Sequence, residues 1–191
     1  MSFLRSKAEL RATALAARDA LSPAQRADAA AAVAARGLPF VVEPGAVIAG
    51  YAPIHSEFDP MPLLRKLADA GARLALPVIT GRDRPLQFRS FSIGEALERG
   101  PLGIPQPTAA AAELIPEILL VPLAAFDRSG HRIGYGAGYY DRSIEALRGG
   151  NRTTVGLAFA VQEIDAVPAL PHDVALDYVL TETQTLDFRS K

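Results

Sequence analysis

The sequence predicts an α/β fold built on a mostly parallel sheet covered on both faces. Short apolar runs such as "EILLVP" (117–122) read as strands buried on both sides. Segments of helical period lie between them, which is the alternation of a parallel sheet with crossover helices. The 191 residues are 49% hydrophobic and 21% charged, enough apolar mass for one ordinary soluble domain spanning 1–191.

The first forty residues read as two helices. In the first, Leu4, Leu10, Ala14 and Leu15 share a stripe, with Arg5, Lys7, Arg11 and Arg18 elsewhere on the cylinder. The second starts at Ser22-Pro23-Ala24-Gln25, where Ser22 caps, Pro23 suits the first helical position and Gln25 completes a capping box. Gly37 and Pro39 end it. "AVIAGY" (46–51) is a short strand. Asp59-Pro60 opens a third helix that ends at Gly71. "RLALPV" (73–78) is a second strand and the alternating "LQFRSF" (86–91) a third. "EILLVP" follows, then a glycine-rich segment leading into a helix at "YYDRSIEALRGG" (139–150). "TTVGLAF" (153–159) and "DYVLTE" (177–182) are late strands. No internal repeat, low-complexity tract or linker interrupts this order.

Composition excludes several classes. A net charge of −1 provides no bulk basic field for nucleic acid or an anionic membrane. The absence of cysteine rules out disulfides and thiolate metal sites. The N-terminal stretch has scattered charges and lacks the apolar run of a signal peptide or membrane span, so a cytoplasmic protein is the simplest reading.

In such folds ligands bind beyond the carboxyl ends of the strands. Three long polar segments qualify there: "APIHSEFD" (52–59), "PLAAFDRSGHRIGYGAGYYD" (122–141) and "QEIDAVPALPHD" (162–173). The second contains "RIGYGAGYYDR". Gly134, Gly136 and Gly138 allow backbone N–H groups to approach an anion, and the helix that follows offers unpaired N–H groups and a positive dipole end. Arg132 and Arg142 add charge, the tyrosines add flat surfaces, and Asp141 suits Mg²⁺ bridged to phosphate oxygens. A glycine-rich turn with tyrosines packed on the sheet accounts for the same residues. The spacing is G-x-G-x-G and no short strand-to-helix turn leads into it, so the dinucleotide fingerprint is absent, as is a P-loop. Lys7 and Arg11, one helical turn apart, form either an anion clamp or a wet face. Glu57 is either a hydrogen-bond acceptor for a substrate edge or a solvated loop carboxylate. Asp173 is either a second metal carboxylate or a turn residue. His55, His131 and His172 lack metal-ligand spacing and read as polar loop residues.

The stretch Pro122 to Asp141 resembles the signature of the 5-formyltetrahydrofolate cyclo-ligase family, P-x-x-x-F-D-x-x-G-x-R-[LI]-G-x-G-x-G-[FY]-Y-D, and meets it throughout. "KAELR" (7–11), "GYAPIHSEFD" (50–59), "GIPQP" (103–107) and "PHDVALDYVLTE" (171–182) resemble further family features in the same order. The resemblance implies a three-layer α/β/α sandwich, similar to sugar-phosphate isomerase and CoA-transferase folds. It implies a monomeric enzyme that uses ATP and Mg²⁺ to cyclise 5-formyltetrahydrofolate to 5,10-methenyltetrahydrofolate, through a phosphorylated formyl group.

By the same resemblance, the ATP contacts are Lys7, Ala8, Glu9, Leu10 and Arg11, then Arg132, Ile133, Gly134, Tyr135, Gly136, Ala137, Gly138, Tyr139 and Tyr140. The folate contacts are Ala52, Glu57 and the run Tyr135, Gly136, Ala137, Gly138 and Tyr139. Arg132 and Tyr139 are the catalytic pair, and Asp141 and Asp173 hold Mg²⁺. One position departs from the pattern: Ala137 stands where some relatives carry Lys and many carry Gly. A catalytically weak relative that binds nucleotide or folate is the alternative function. Retention of Lys7, Arg11, Glu57, Arg132 and Asp141 together favours the enzyme.

Overall fold

The structure is a computed structural model that describes residues 5–147, 150–170 and 173–189. Leu4 and His172 lie outside the described residues. Helix α1 (Lys7–Asp19) starts from a capping box in which Ser6 accepts from the Glu9 backbone and Glu9 returns to the Ser6 N–H. Helix α2 (Pro23–Arg36) starts from the expected box of Ser22 and Gln25, and Gly37, at φ 79°, ends it. Strand β1 (Val47–Ala49), helix α3 (Met61–Asp69) and strands β2 (Arg73–Val78) and β3 (Gln87–Phe91) follow. A small hairpin, β4 (Glu98–Arg99) and β5 (Pro105–Gln106), precedes β6 (Ile118–Pro122). A second hairpin, β7 (Ala125–Phe126) and β8 (Arg132–Ile133), comes before α4 (Tyr139–Ala146). Strands β9 (Thr153–Leu157), β10 (Tyr178–Leu180) and β11 (Thr185–Asp187) complete the order.

Seven strands form the central sheet in the order β11-β10-β9-β6-β1-β2-β3. The five inner strands are parallel, and β3 and β11 close the two edges antiparallel. Successive side chains leave opposite faces of the sheet. Ile48, Leu74, Leu76, Ile118, Leu120, Val155 and Tyr178 therefore pack under Ala30 and Val33 of α2 and Leu63, Leu64 and Leu67 of α3. Ala49, Ala75, Leu119, Val121 and Val179 face the other way, toward Ile144 of α4 and Leu123, Phe126 and Leu176. The result is the three-layer α/β/α sandwich.

Helix α1 stands apart from both layers. Leu10 and Ala14 pack against Ala125, Ile133, Ile164 and Val167, so this helix rests on the β7–β8 hairpin and on the 160–167 segment. Helix α4 is shorter than the sequence run suggested and ends at Ala146. Among the described residues, no helix is long and apolar enough to cross a membrane.

Candidate active site

Strands β1 and β6 are neighbours, but the chain leaves them in opposite directions: β1 leads through α3 to β2 on one side, and β6 leads to β9 on the other. Their carboxyl ends thus form the switch point of the sheet, where the diverging connections leave a crevice. A cavity of about 520 Å³ lies there, within the usual size range of small-molecule sites. All three polar segments singled out in the sequence reach it, through Ala52, Ile54 and Glu57, through Arg132 to Asp141, and through Asp173. Helix α1 adds Lys7 and Arg11. The rest of the lining is largely apolar: Tyr51, Pro77, Ile79, Leu86, Leu102, Ile104 and Pro122, with Gln106.

The turn after β1 fixes Glu57. His55 adopts φ 52°, which swings the chain back on itself. The Ile54 N–H then donates to Glu57 Oε2 at 2.9 Å, and Tyr51 donates its hydroxyl to the Phe58 carbonyl at 2.7 Å. Glu57 is 8% exposed, so it is not a solvated loop carboxylate. Burial pushes its carboxyl above the usual range, against the opposing pull of the Ile54 N–H, Tyr135, Arg18 and His55.

The β7–β8 hairpin fixes Arg132. Buried Asp127 accepts from the N–H groups of Ser129 at 2.8 Å and His131 at 3.2 Å, and its other oxygen accepts from Val167 at 2.8 Å. Arg132 leaves this hairpin 7% exposed. One nitrogen donates to the Val174 carbonyl at 2.7 Å and another to Asp141 Oδ1 at 2.6 Å. Burial disfavours the guanidinium charge, and Asp141 and Asp173 together counter it.

Contrary to the sequence expectation, a short strand, β8, does run straight into the glycine loop. It belongs to the small hairpin rather than the central sheet, and the spacing remains G-x-G-x-G. Gly136 (φ 98°) and Gly138 (φ 67°) occupy conformations that L side chains rarely adopt. Gly138 starts α4 without a capping side chain, which leaves the first-turn N–H groups for a ligand. Arg11 Nε donates to the Gly134 carbonyl at 2.7 Å and braces the loop from α1. Arg142 braces it from behind, donating to the Ala137 carbonyl at 2.7 Å with its guanidinium 5.3 Å from the Tyr139 ring centroid. Arg142 is therefore a loop support rather than part of the cavity wall. Replacing Gly136 by Ala meets no close atom but forces a side chain to φ 98°. The expected cost is about 1 kcal/mol or more, read as a lower midpoint in urea unfolding.

Lys7 pairs with Asp173. Asp173 also accepts from the Leu170 N–H at 2.6 Å. At this end of the cavity Lys7, Arg11 and Arg132 face Asp141 and Asp173, so the cations exceed the carboxylates by one. The buried Tyr140 hydroxyl has no hydrogen-bond partner among the described residues and lines the same cavity. Of the contacts expected on α1, Ala8, Glu9 and Leu10 do not line the cavity: Glu9 serves the helix cap and Leu10 packs on the hairpin side. Missed in the sequence was Arg18. It is 4% exposed, and it donates from Nε to Ser56 Oγ at 2.9 Å and from Nη1 to the Tyr135 hydroxyl at 2.5 Å. Its signal was the spacing from Lys7, Arg11 and Ala14, which puts all four on one helical face.

Fold and site together define an α/β enzyme whose crevice joins a basic, glycine-rich end to an apolar shelf. The model of the 5-formyltetrahydrofolate cyclo-ligase family matches residues 4–182, and the chain belongs to that family. It is 38% identical over 186 residues to the 5-formyltetrahydrofolate cyclo-ligase of Mycolicibacterium smegmatis, covering 93% of this chain and 94% of that protein. The Escherichia coli K12 protein of the same name is 28% identical over 177 residues, covering 90% of this chain and 97% of its own. Among solved structures, Aquifex aeolicus 5,10-methenyltetrahydrofolate synthetase superposes with a TM-score of 0.81 at 29% identity, over 97% of this chain and 94% of that one. The Mycoplasma pneumoniae synthetase gives 0.71 at 25% identity, over 93% and 99%.

Proposed function

We propose that the protein closes 5-formyltetrahydrofolate to 5,10-methenyltetrahydrofolate at the expense of ATP. The observation that carries this is the division of a single cavity. A buried carboxylate, Glu57, sits among apolar and aromatic side chains, and Arg132 and the glycine loop form a phosphate-type cradle in the same space.

A formamide oxygen is a very poor leaving group. In the first step it attacks the γ-phosphorus of ATP, forming an O–P bond as the bond to the ADP oxygen breaks. In the second, the neighbouring amine nitrogen attacks the formyl carbon and loses its proton. The C–O bond then breaks and phosphate leaves. The protein's part is positioning and charge neutralisation. Lys7 and Arg11 face the triphosphate from α1, and Gly134, Gly136 and Gly138 present main-chain N–H groups. Arg132 lies beside the phosphoryl group as it moves. Glu57 accepts from the N–H groups of the pterin ring, a role for an acceptor-only group. Tyr135 and Tyr139 bound the ring, and the Tyr140 hydroxyl finds its partner on a ligand.

Mg²⁺ fits this donor set. Two carboxylates, Asp141 and Asp173, act on the same arginine, and a hard cation held by one or two carboxylates plus phosphate oxygens is the usual arrangement. Bound there, it supplies charge neutralisation for the triphosphate.

Glu57→Gln separates recognition from structure. Gln keeps the size but turns a donor toward the pterin's own donors. Unpaired buried donors cost about 1–3 kcal/mol, so folate affinity should fall about tenfold or more with ATP affinity unchanged. Stability should move the other way. The folded-state carboxyl is raised, so its contribution is fully present below the unfolded value near 4.5 and lost as pH rises through the folded value. The neutral variant escapes that loss and should gain on wild type in melting temperature between acid and neutral pH. Calorimetric titration of each ligand and thermal melts across pH read both effects. The function itself is tested by mixing purified protein, ATP, Mg²⁺ and 5-formyltetrahydrofolate and following the ultraviolet absorbance of the methenyl product. No absorbance change would overturn the assignment.

A further inference from the structure

Arg18 is a cation nine-tenths buried at the far end of α1 from Lys7. It spans two loops. Its Nε holds Ser56, the residue before Glu57, at 2.9 Å, and its Nη1 holds the Tyr135 hydroxyl at 2.5 Å. The guanidinium carbon also lies 5.7 Å from the centre of the Tyr135 ring. Ser56 in turn donates to Asp19, which closes the arrangement at the end of α1.

We propose that Arg18 is a positioning residue for the folate half of the site. It clamps the Glu57 turn to the glycine loop and holds Tyr135 in place as one wall of the ring pocket. This rests on the reading of Glu57 as the pterin acceptor. Through Ser56 and Tyr135 the clamp fixes where the carboxylate sits relative to the loop that carries the tyrosines. Its charge also offsets the burial of Glu57. The groups facing Glu57 are Arg18 from α1, His55 from its own turn, Tyr135 from the glycine loop, Tyr51 after β1 and Tyr140 from α4. Arg18 is the buried cation in that set. An opposite charge near a carboxylate favours the ionised form, so removing it lets the proton bind more tightly.

The test uses Arg18→Met, which preserves length and apolar packing, with Arg18→Lys and Glu57→Gln in parallel. Dissociation constants for 5-formyltetrahydrofolate and for ATP are measured across pH. For Arg18→Met the expected result is about tenfold weaker folate binding at neutral pH, a much smaller loss for ATP, and an acid limb of folate affinity moved to higher pH. Arg18→Lys should return the acid limb toward wild type while recovering folate affinity only in part, because an ammonium keeps the charge but not the two-pronged geometry. Arg18→Met with wild-type folate affinity, or with equal losses for ATP and folate and an unmoved acid limb, would overturn the proposal. If Glu57→Gln binds folate normally, the reading of Glu57 fails. If Glu57→Gln weakens folate and Arg18→Met does not, the clamp alone fails.

Discussion

Omitting ATP, or adding EDTA in excess of divalent cation, should stop formation of the methenyl product altogether. The expectation follows from the charges at the basic end of the cavity. Lys7 is committed to Asp173, Arg132 to Asp141, and Arg11 to the Gly134 carbonyl. A triphosphate brings several negative charges to a site with one more cation than carboxylate, so the side chains alone leave it under-neutralised. A divalent cation held by Asp141 and Asp173 would turn those two carboxylates from competitors of the phosphates into supports. Without nucleotide the formyl oxygen has no route to becoming a leaving group. Product absorbance followed with each component left out in turn is the measurement, and full turnover with EDTA or without nucleotide would refute the mechanism.

Arg132→Ala should lower turnover by a hundredfold or more with far less effect on ground-state folate affinity. A cation beside a moving phosphoryl group gains most as charge shifts, and losing such a contact commonly costs about 2.7–4 kcal/mol. The demand on Arg132 is high in this chain. In the middle of the glycine loop, Ala137 is exposed, brings no charge and offers its carbonyl to Arg142. The variant should still fold, because the Asp141 side chain is 36% exposed and can be hydrated once its partner is gone. Steady-state kinetics on a variant with a normal melting curve provide the check. Wild-type turnover would reassign Arg132 to holding Val174 and Asp141 in place.

Much of this was legible because it rests on local chemistry. The box at Ser22 and Gln25, and the bounds of β2, follow from groups a few residues apart. The hairpins β4–β5 and β7–β8 were not, since two residues per strand are too few for alternation to register. The three-residue β11 escaped for the same reason. Within the site, residue type left Lys7, Arg11, Glu57 and the glycine loop as open candidates, the family resemblance grouped them, and the sheet topology brings them into one cavity. The burial of Glu57 could not be read, because it depends on Tyr135 and Arg18, which are far away in the chain. Arg18 was set apart from the buried stripe of α1 because that stripe was drawn through apolar residues. The face that turns inward is mixed, with Lys7 and Arg11 at its polar end and Ala14 and Arg18 buried. A helix selected to carry charge into a cavity does not advertise its inner face by hydrophobicity.

Because α1 rests on a hairpin and the 160–167 segment and not on the sheet, a ligand in the cavity should strengthen its attachment. Few apolar side chains hold it down; Arg18 ties its C-terminal end to Ser56 and Tyr135, while at its N-terminal end Lys7 and Arg11 reach across to Asp173 and the Gly134 carbonyl. A bound triphosphate gives both cations a further partner, and any ligand that favours the docked helix raises the free energy of its local opening. Amide hydrogens of α1 should therefore exchange more slowly with nucleotide present, while those of β6 and β9, deep in the sheet, keep their rates. Such a result would make α1 a latch whose tension is set by substrate.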